Sequence, residues 1–511
     1  MKKIVLLIFI FTLRSYGNYA TPSTGVSWTM DSLVAHSSGD VTTAGGVYFV
    51  NDTITVSLND TLKIFTNSTI KLASLVLINV DGTLKANPPN QIIITAQDTT
   101  QMFYGFRFSD YSDASVLKKV TLQYGSAIKL VNSDMLIDSC TIRFNTLISN
   151  FSTSAINLTS SNPVISNNTI YRNGRSAIGS AANLQSSPTI INNQILENDV
   201  SNGLYPQINL GGSSASPLII RNNIISGFFN QAGGIAIFPV GVSVPNCIIE
   251  GNVIRKNSYG IVLYNTPINA LIINNVIDSN NINPNPLAAG SGINVNGNTQ
   301  NVSIISRNKI RGNLWGITIQ GTALPDLGNI NNSDTTDNGR NQIYGNGHSD
   351  SIIDLYNNTP DTIYAQNNYW GTTNLDSIEA HIVHHPDNPA LGWVIYQPIL
   401  SLTGITPNAS NLPSTFRLYD AYPNPFNPET KITFSVPSGE RNSGPLQLII
   451  YDALGREAVT LINGRLEPGQ YSVTWNAVAF SSGVYFYRLV SKNASGESAF
   501  FSETKKLILL K

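Results

Sequence analysis

Charge is scarce in this chain: 12% of its 511 residues are Asp, Glu, Lys or Arg, and the net charge is −1. No broad field of one sign is available to hold nucleic acid or an anionic membrane, so neither is expected as a partner and any electrostatic preference must be local. Cysteine is nearly absent, with Cys140 and Cys247 alone, which excludes a scaffold held by several disulfides. Histidine is rare as well, and His348 and His381 lack partners at metal-ligand spacing. The nucleophile elbow, the phosphate-binding loop, the CxxC pair and the spaced Asp/Gly calcium loop are all missing. Long apolar runs are missing too, apart from Ile4 to Leu13, which only Thr12 interrupts. That run is too short to cross a bilayer and follows a basic Met1-Lys2-Lys3, the pattern of a signal-peptide core. Ser15-Tyr16-Gly17 places small residues where a signal peptidase reads, so residues 1–17 are expected to be removed, with cleavage after Ala20 as the alternative. Residues 18–45 read as a leader segment, and no other segment has the character of a transmembrane span.

What the chain does have is a returning phrase: Asn, one residue, Ile, two residues, and often Asn again. It reads Asn168-Thr-Ile170-Tyr-Arg-Asn173, Asn193-Gln-Ile195-Leu-Glu-Asn198 and Asn252-Val-Ile254-Arg-Lys-Asn257, and it recurs at Asn275, Asn308 and Asn341, with weaker copies at Cys140, Asn223 and Asn368. A second phrase runs in step, a small residue followed by Ile, as in Ala127-Ile128, Ala155-Ile156, Gly260-Ile261, Gly292-Ile293 and Gly316-Ile317. Repeats of this length mean a solenoid, in which each coil covers the bare face of its neighbour. Short period-two strands indicate parallel β structure, while a Leu-rich phrase or a 3.6 period, needed for leucine-rich or helical repeats, is absent. Parallel stacking predicts an inner column of Ile170, Ile195, Ile225, Ile254, Ile277, Ile310 and Ile343. It also predicts a structural ladder of Asn168, Asn193, Asn223, Asn252, Asn275, Asn308 and Asn341 at one turn, each amide donating to one coil and accepting from the next. The same register sets Cys140 and Cys247 about four coils apart, roughly 19 Å at ~4.8 Å per strand. That is beyond disulfide reach, and both read as buried small apolar residues.

With these phrases the stretch from Gly46 to Leu402 resembles the right-handed parallel β-helix proteins, the broad group that holds pectate-lyase-like folds and periplasmic copper-protein maturation factors. Its ending, Asn367-Asn368-Tyr369-Trp370-Gly371 with Ile378, His381-Ile382 and Val394-Ile395-Tyr396-Gln397-Pro398, is similar to the last coil of many of them. The resemblance implies an all-β solenoid over residues 46–402. It does not imply one activity, because the group is functionally mixed.

Residues 403–416 are rich in Ser, Pro, Asn and Thr and read as a linker. Beyond it come Tyr422-Pro423-Asn424-Pro425-Phe426-Asn427-Pro428, Thr430-Lys-Ile432-Thr-Phe434, Leu448-Ile-Ile-Tyr451-Asp-Ala-Leu454-Gly-Arg, Gly469-Gln-Tyr471, Trp475-Asn-Ala477 and Ser482-Gly-Val484-Tyr-Phe-Tyr487. Alternating strands with Gly and Pro turns predict a small β-sandwich over 417–511. In order and spacing these motifs resemble the type A C-terminal sorting domain of the type IX secretion system. The resemblance implies an outer-membrane-bearing bacterium, recognition of the tail by the secretion translocon, and a secreted or cell-surface destination.

Outward positions next to the inner Ile column read Arg143, Tyr171, Leu196, Ser226, Arg255, Asp278, Arg311 and Tyr344. Arg255, Lys256, Asp278 and Arg311 are therefore expected on one face, with Tyr259 and Trp315 sharing a turn slot nearby and the inserted loop Asn281 to Ser291 between their coils. Cations beside aromatic planes suit an acidic glycan, so these six residues form the candidate glycan-binding face. The structural alternative is a cross-coil ion pair with aromatic turn fillers, which stabilises little. Asp326, Asp334 and Asp337 read as solvated acids, and His384-His385-Pro386-Asp387 as polar filler of the closing coil. No catalytic residue, metal site or cofactor is assigned, and calcium is expected only if the protein is a lyase. The expected function is glycan binding or a structural role at the cell surface. The alternative is a polysaccharide lyase, epimerase or hydrolase acting on an acidic polysaccharide.

Overall fold

A computed structural model describes residues 18–146, 151–214, 216–265, 267–297, 301–349, 351–400, 415–437, 443–464, 469–478, 480–493 and 499–510. The expected signal peptide and most of the expected linker lie outside these residues. The chain divides into two compact units, 1–400 and 401–511.

In the first unit the chain winds through three sheets in turn, and stacked coils build a first sheet of 14 strands, a second of 11 and a third of 13. Apart from the antiparallel hairpin of Val41–Ala44 with Val47–Val50 and a register shift between Val244 and Cys247, the pairing is parallel and in register. Ile142 lies beside Ile170, then Ile195, Ile225, Ile254, Ile277, Ile310 and Ile343, one inner column of the third sheet. The small-residue-Ile phrase supplies most of the matching column of the first sheet, from Ile128 through Ile156, Ile178, Ile208 (which follows Gln207), Ile235, Ile261 and Ile293 to Ile317. All of these side chains are buried. β-Branched residues suit such columns, because their χ1 is already restricted in an extended strand.

The anchor asparagines occupy the bend between the second and third sheets. The Asn168 amide and Nδ2 both donate to Asn193 Oδ1 at 2.9 and 3.0 Å, and Asn193 repeats this toward Asn223. The ladder continues through Asn252, Asn275, Asn308 and Asn341 to Asn368. Cys140 begins it, its backbone N–H donating to Asn168 Oδ1 at 2.8 Å. The residue before each rung turns the chain with a positive φ: Asn167, Asn192, Asn222, Gly251, Asn274, Arg307, Arg340 and Asn367. Asn and Gly tolerate this left-handed conformation best, which accounts for the Asn-Asn doublets. Both cysteines are free and buried.

Residues 18–45 are part of the solenoid and do not form a separate leader. Tyr19 pairs with Ile54 in the first sheet and Ser27 with Thr61 in the second. A helix, α1 (Met30–His36), then covers the end of the stack with buried Met30 and Leu33, its N-terminus capped by Thr29. At the other end α2 (Leu375–Glu379) and buried Trp370 close the core.

The second unit pairs its strands antiparallel in one sheet of three and one of four. Their facing sides share a core that includes Phe434, Trp475, Leu448, Tyr487 and Leu507. The Tyr422-to-Pro428 motif runs along the edge of the last strand. Asn424 Nδ2 donates to the Lys506 carbonyl at 2.8 Å, and Phe426 buries its ring against Trp475 at 5.3 Å.

Candidate functional site

Outward side chains of the third sheet stack as the register requires. Arg255, Asp278 and Arg311 lie on consecutive strands, and Arg311 Nη2 is 3.0 Å from Asp278 Oδ2. Arg255 and Lys256 are exposed, and Lys256 is itself a positive-φ turn residue. A half-exposed ion pair of this kind contributes at most about 1 kcal/mol. None of these four residues lines either of the two grooves on the first sheet.

The aromatic members of the expected face are elsewhere. Tyr259 and Trp315 sit at the entry of the first sheet, in the slot that also holds Ser291. They belong to a groove of about 500 Å³ on the outer face of that sheet. The floor is a grid set by strand register. Val262, Asn294, Thr318 and Tyr356 form one outward row, and Tyr264, Asn296 and Gln320 form the next. Pro286 to Ala289 of the inserted loop make the wall. Trp315 fixes that wall, because its Nε1 donates to the Pro286 carbonyl at 2.9 Å. Its ring stacks on Tyr356 at 5.7 Å and meets His348 edge-on at 4.6 Å. Asn294 and Asn296 both donate to Gln320 Oε1, at 3.1 and 3.2 Å, and Ser291 and Thr318 share a hydrogen bond of 3.1 Å. Tyr264 packs on Phe238 at 4.8 Å at the rim, where Leu287 is 93% exposed. Tyr259 fits because residue 233 is Gly: a Cβ there would lie 2.1 Å from its ring. Burial pushes the Tyr259 hydroxyl above the ordinary phenol range, and the Asp199 charge adds to the effect.

None of the 14 lining residues is an acid, a base or a histidine. The expected single face is therefore divided. Tyr259 and Trp315 line the groove, whereas Arg255, Lys256, Asp278 and Arg311 lie on the third sheet, because each coil bends between the two sheets at the residues just after the Ile column. Tyr264, Asn294, Asn296, Gln320 and Tyr356 escaped the sequence reading. The signal was present for Tyr264, Asn294, Asn296 and Gln320, each an outward position one or three residues after the Ile of the small-residue-Ile phrase; Tyr356 instead follows Leu355 of Asp354-Leu355, which stacks on Ile317.

A second, smaller groove of about 240 Å³ lies on the same sheet, among Lys129, Phe151, Thr153, Asn157 and their neighbours. Arg107 and Lys129 are directly paired across adjacent strands. Burial lowers the Lys129 pKa, and the Arg107 charge lowers it further. Lys129 Nζ also sits over the Phe151 ring at 5.4 Å, and among the described residues neither cation makes an ion pair.

His384 and His385 hold the closing coil together. His384 Nδ1 accepts from the Val394 amide at 3.0 Å and Nε2 meets Glu379 at 3.0 Å, while His385 stacks on Trp393 at 4.6 Å. Asp337 departs from expectation: it is buried, not solvated.

Comparison with known proteins completes the picture. Residues 104–277 match the family model described as right handed beta helix region, and residues 420–508 match that of the secretion system C-terminal sorting domain. This is a right-handed β-helix protein with a type IX secretion sorting tail. The tail marks the β-helix protein for export by that system to the cell surface or the medium. No helix among the described residues is long and apolar enough to cross a membrane. Among solved structures the chain is similar to the A-module of mannuronan C-5 epimerase AlgE4 from Azotobacter vinelandii, at 12% identity and a TM-score of 0.33, covering 70% of this chain and 85% of that one. It is also similar to the tailspike protein gp49 of Acinetobacter baumannii bacteriophage Fri1, a capsular polysaccharide depolymerase, at 10% identity and a TM-score of 0.29, covering 97% of this chain and 78% of that one. No curated protein matches.

Proposed function

We propose that the exported β-helix is a glycan-binding surface protein, and that an uncharged stretch of saccharide lies in the groove of the first sheet beneath the 281–291 loop. The observation that carries this reading is the lining itself. Trp315, Tyr356 and Tyr264 offer ring faces to the apolar side of a sugar, and Asn294, Asn296 and Gln320 offer donors and acceptors to hydroxyls. The amides are already oriented by one another, so little side-chain entropy is lost on binding. The absence of carboxylate, Lys, Arg or His among the lining residues favours binding over acid-base chemistry in this groove.

A glycan array probed with the mature chain, followed by titration calorimetry on the best hit, tests the proposal. Trp315→Ala should weaken binding at least about 10-fold, the loss of one stacked ring, whereas Arg311→Ala should leave affinity unchanged. Equal affinity for the wild type and Trp315→Ala would remove the groove from consideration. A second reading, an acidic polysaccharide, is favoured by the Arg107–Lys129 pair on the same sheet. Under that reading Lys129→Ala weakens binding and flattens its salt dependence, while Trp315→Ala does neither.

A further inference from the structure

We infer that the groove beneath the 281–291 loop selects an uncharged saccharide bearing N-acetyl groups, with Leu287 covering the acetyl methyl. The inference rests on the glycan-binding reading above and names the substituent that site prefers.

Wall and floor of the groove differ in kind. Pro286, Leu287, Ala288 and Ala289 give the wall four consecutive side chains without a polar atom. Their backbone is braced from within. Asn285 Oδ1 accepts from the Leu287 amide at 3.1 Å, and the Asn285 carbonyl accepts from the amides of Ala288 and Ala289, both at 3.1 Å. The far end is tied to the stack: the Gly290 amide donates to the Ser258 carbonyl at 2.7 Å, and the Trp315 amide donates to the Gly290 carbonyl at 3.1 Å. Gly290 has a φ of +94°, and a Cβ there would lie 2.5 Å from the Leu314 Cβ, so this closure needs glycine. These amides are spent inside the turn, and the wall meets a ligand mainly through apolar side chains. Leu287 is almost fully exposed, and Tyr264 and Phe238 continue the patch along the rim. A contiguous apolar patch beside a groove marks a contact surface, whereas a lone surface leucine would not.

The floor is polar but uncharged. Gln320 Oε1 already accepts from Asn294 and Asn296, which fills its two lone pairs. Gln320 Nε2 and the Oδ1 atoms of the two asparagines make no further hydrogen bond among the described residues. A donor is thus offered together with two acceptors, the complement of an amide, which brings one C=O and one N–H. An acetamido substituent uses both halves of the site: its amide pairs with the floor and its methyl lies against the wall. A sugar with a hydroxyl in that position can use the floor but gains nothing from Leu287. A carboxylate would find no cation among the lining residues.

The test is a glycan array probed with the mature chain, followed by calorimetry on the best N-acetylated ligand and on its counterpart with hydroxyl in place of acetamido. The N-acetylated ligand should bind at least about 4-fold tighter, the burial of one methyl group. Leu287→Ser, at an exposed position where the fold loses no packing, should remove most of that preference and leave affinity for the hydroxyl counterpart unchanged, while Trp315→Ala should weaken both. Hits confined to sugars without N-acetyl groups, or a Leu287→Ser variant that keeps the full preference, overturn the inference and leave the glycan-binding reading standing. An array with no hit overturns both. Light scattering addresses a second copy of the chain as the other occupant of an apolar rim: a dimer that Leu287→Ser dissociates would assign the wall to that copy and overturn the inference as well.

Discussion

A single amide carries most of what is unusual about this chain. Asn252 is fully buried, yet all of its side-chain hydrogen-bonding capacity is used: Oδ1 accepts from the Asn223 amide and Nδ2, and Nδ2 donates to the Ile220 carbonyl and to Asn275 Oδ1. Leucine has a similar volume and would enjoy the burial, but it strands the Asn223 donors and the Ile220 carbonyl. Each orphaned group costs about 1–3 kcal/mol, so Asn252→Leu should lower stability by at least about 3 kcal/mol in urea unfolding. Asn252→Asp should cost more at neutral pH, since a charge would then face two acceptors. This ladder was legible in the sequence, because the period fixes which residues stack. A second ladder was only glimpsed as the closing Asn of the phrase. It runs from Asn145 through Asn173 to Asn198, and again from Asn257 through Asn280 and Asn313 to Asn346, which Asp354 closes. Between the two runs, position 228 is an exposed Phe, so Asn198 turns to Gln207 Oε1 and Asn257 Oδ1 is left without a donor. The substitute Gln207 follows an irregular loop, and no period could have announced it.

At the scale of the element, the first coil shows where sequence reading stops. Its strands Tyr19–Ala20 and Ser27–Trp28 are two residues long and carry no Asn phrase, so nothing repeats and residues 18–45 looked like a leader. What holds the coil is a side chain from the next one. Fully buried Asp60 accepts from the amides of Ser23, Thr24, Gly25 and Val26 at 2.9–3.2 Å, a concave nest of N–H groups suited to an anion. Burial alone would raise the Asp60 pKa, but the hydrogen bonds from Thr21, Ser23, Val26 and Gly25 outweigh it, and the net shift is downward. A depressed carboxyl contributes stability above its unfolded value and loses it as the pH falls through its folded value. Asp60→Asn should therefore cost about 3 kcal/mol at pH 7, the worth of one or two charge-assisted hydrogen bonds. The gap in Tm between variant and wild type should begin to narrow as the pH drops below about 4 and close only below the depressed folded-state value; a gap that stays constant as the pH is lowered through the acid range would count against the nest. The candidate groove was half legible for a related reason. Tyr259 and Trp315 stood out as large residues in a repeated slot, but the bend that separates them from Arg255 and Arg311 depends on the one positive-φ residue in each turn, such as Lys256 and Ser279, and sequence alone did not say on which sheet the following residues emerge.

For the molecule as a whole, a solenoid and a tail were expected from two unrelated patterns, and they behave as two separate stores of stability. The buried cluster of the first unit runs from Trp28 to Tyr396 and that of the second from Leu418 to Leu509. A stack of coils gains its stability from nearest-neighbour contacts, so it is sensitive to its ends and to breaks within it, and little else. Its ends are covered by α1 and by α2 with Trp370, which keep the open edges of the long sheets from pairing with another chain. The tail has its own closure, in which Tyr487 Oη donates to the Tyr419 carbonyl at 2.9 Å and accepts from the Ala421 amide at 3.0 Å. Deleting residues 420–508 should therefore leave the β-helix folded and its calorimetric transition in place while removing a smaller one. The same deletion should stop export, leaving the protein in the periplasmic fraction. Both outcomes can be read from one strain, by fractionation and by scanning calorimetry of the purified product. A truncated chain that still reaches the medium would separate the tail from its address, and one whose main transition falls by several degrees would show that the stack draws stability from beyond Leu400.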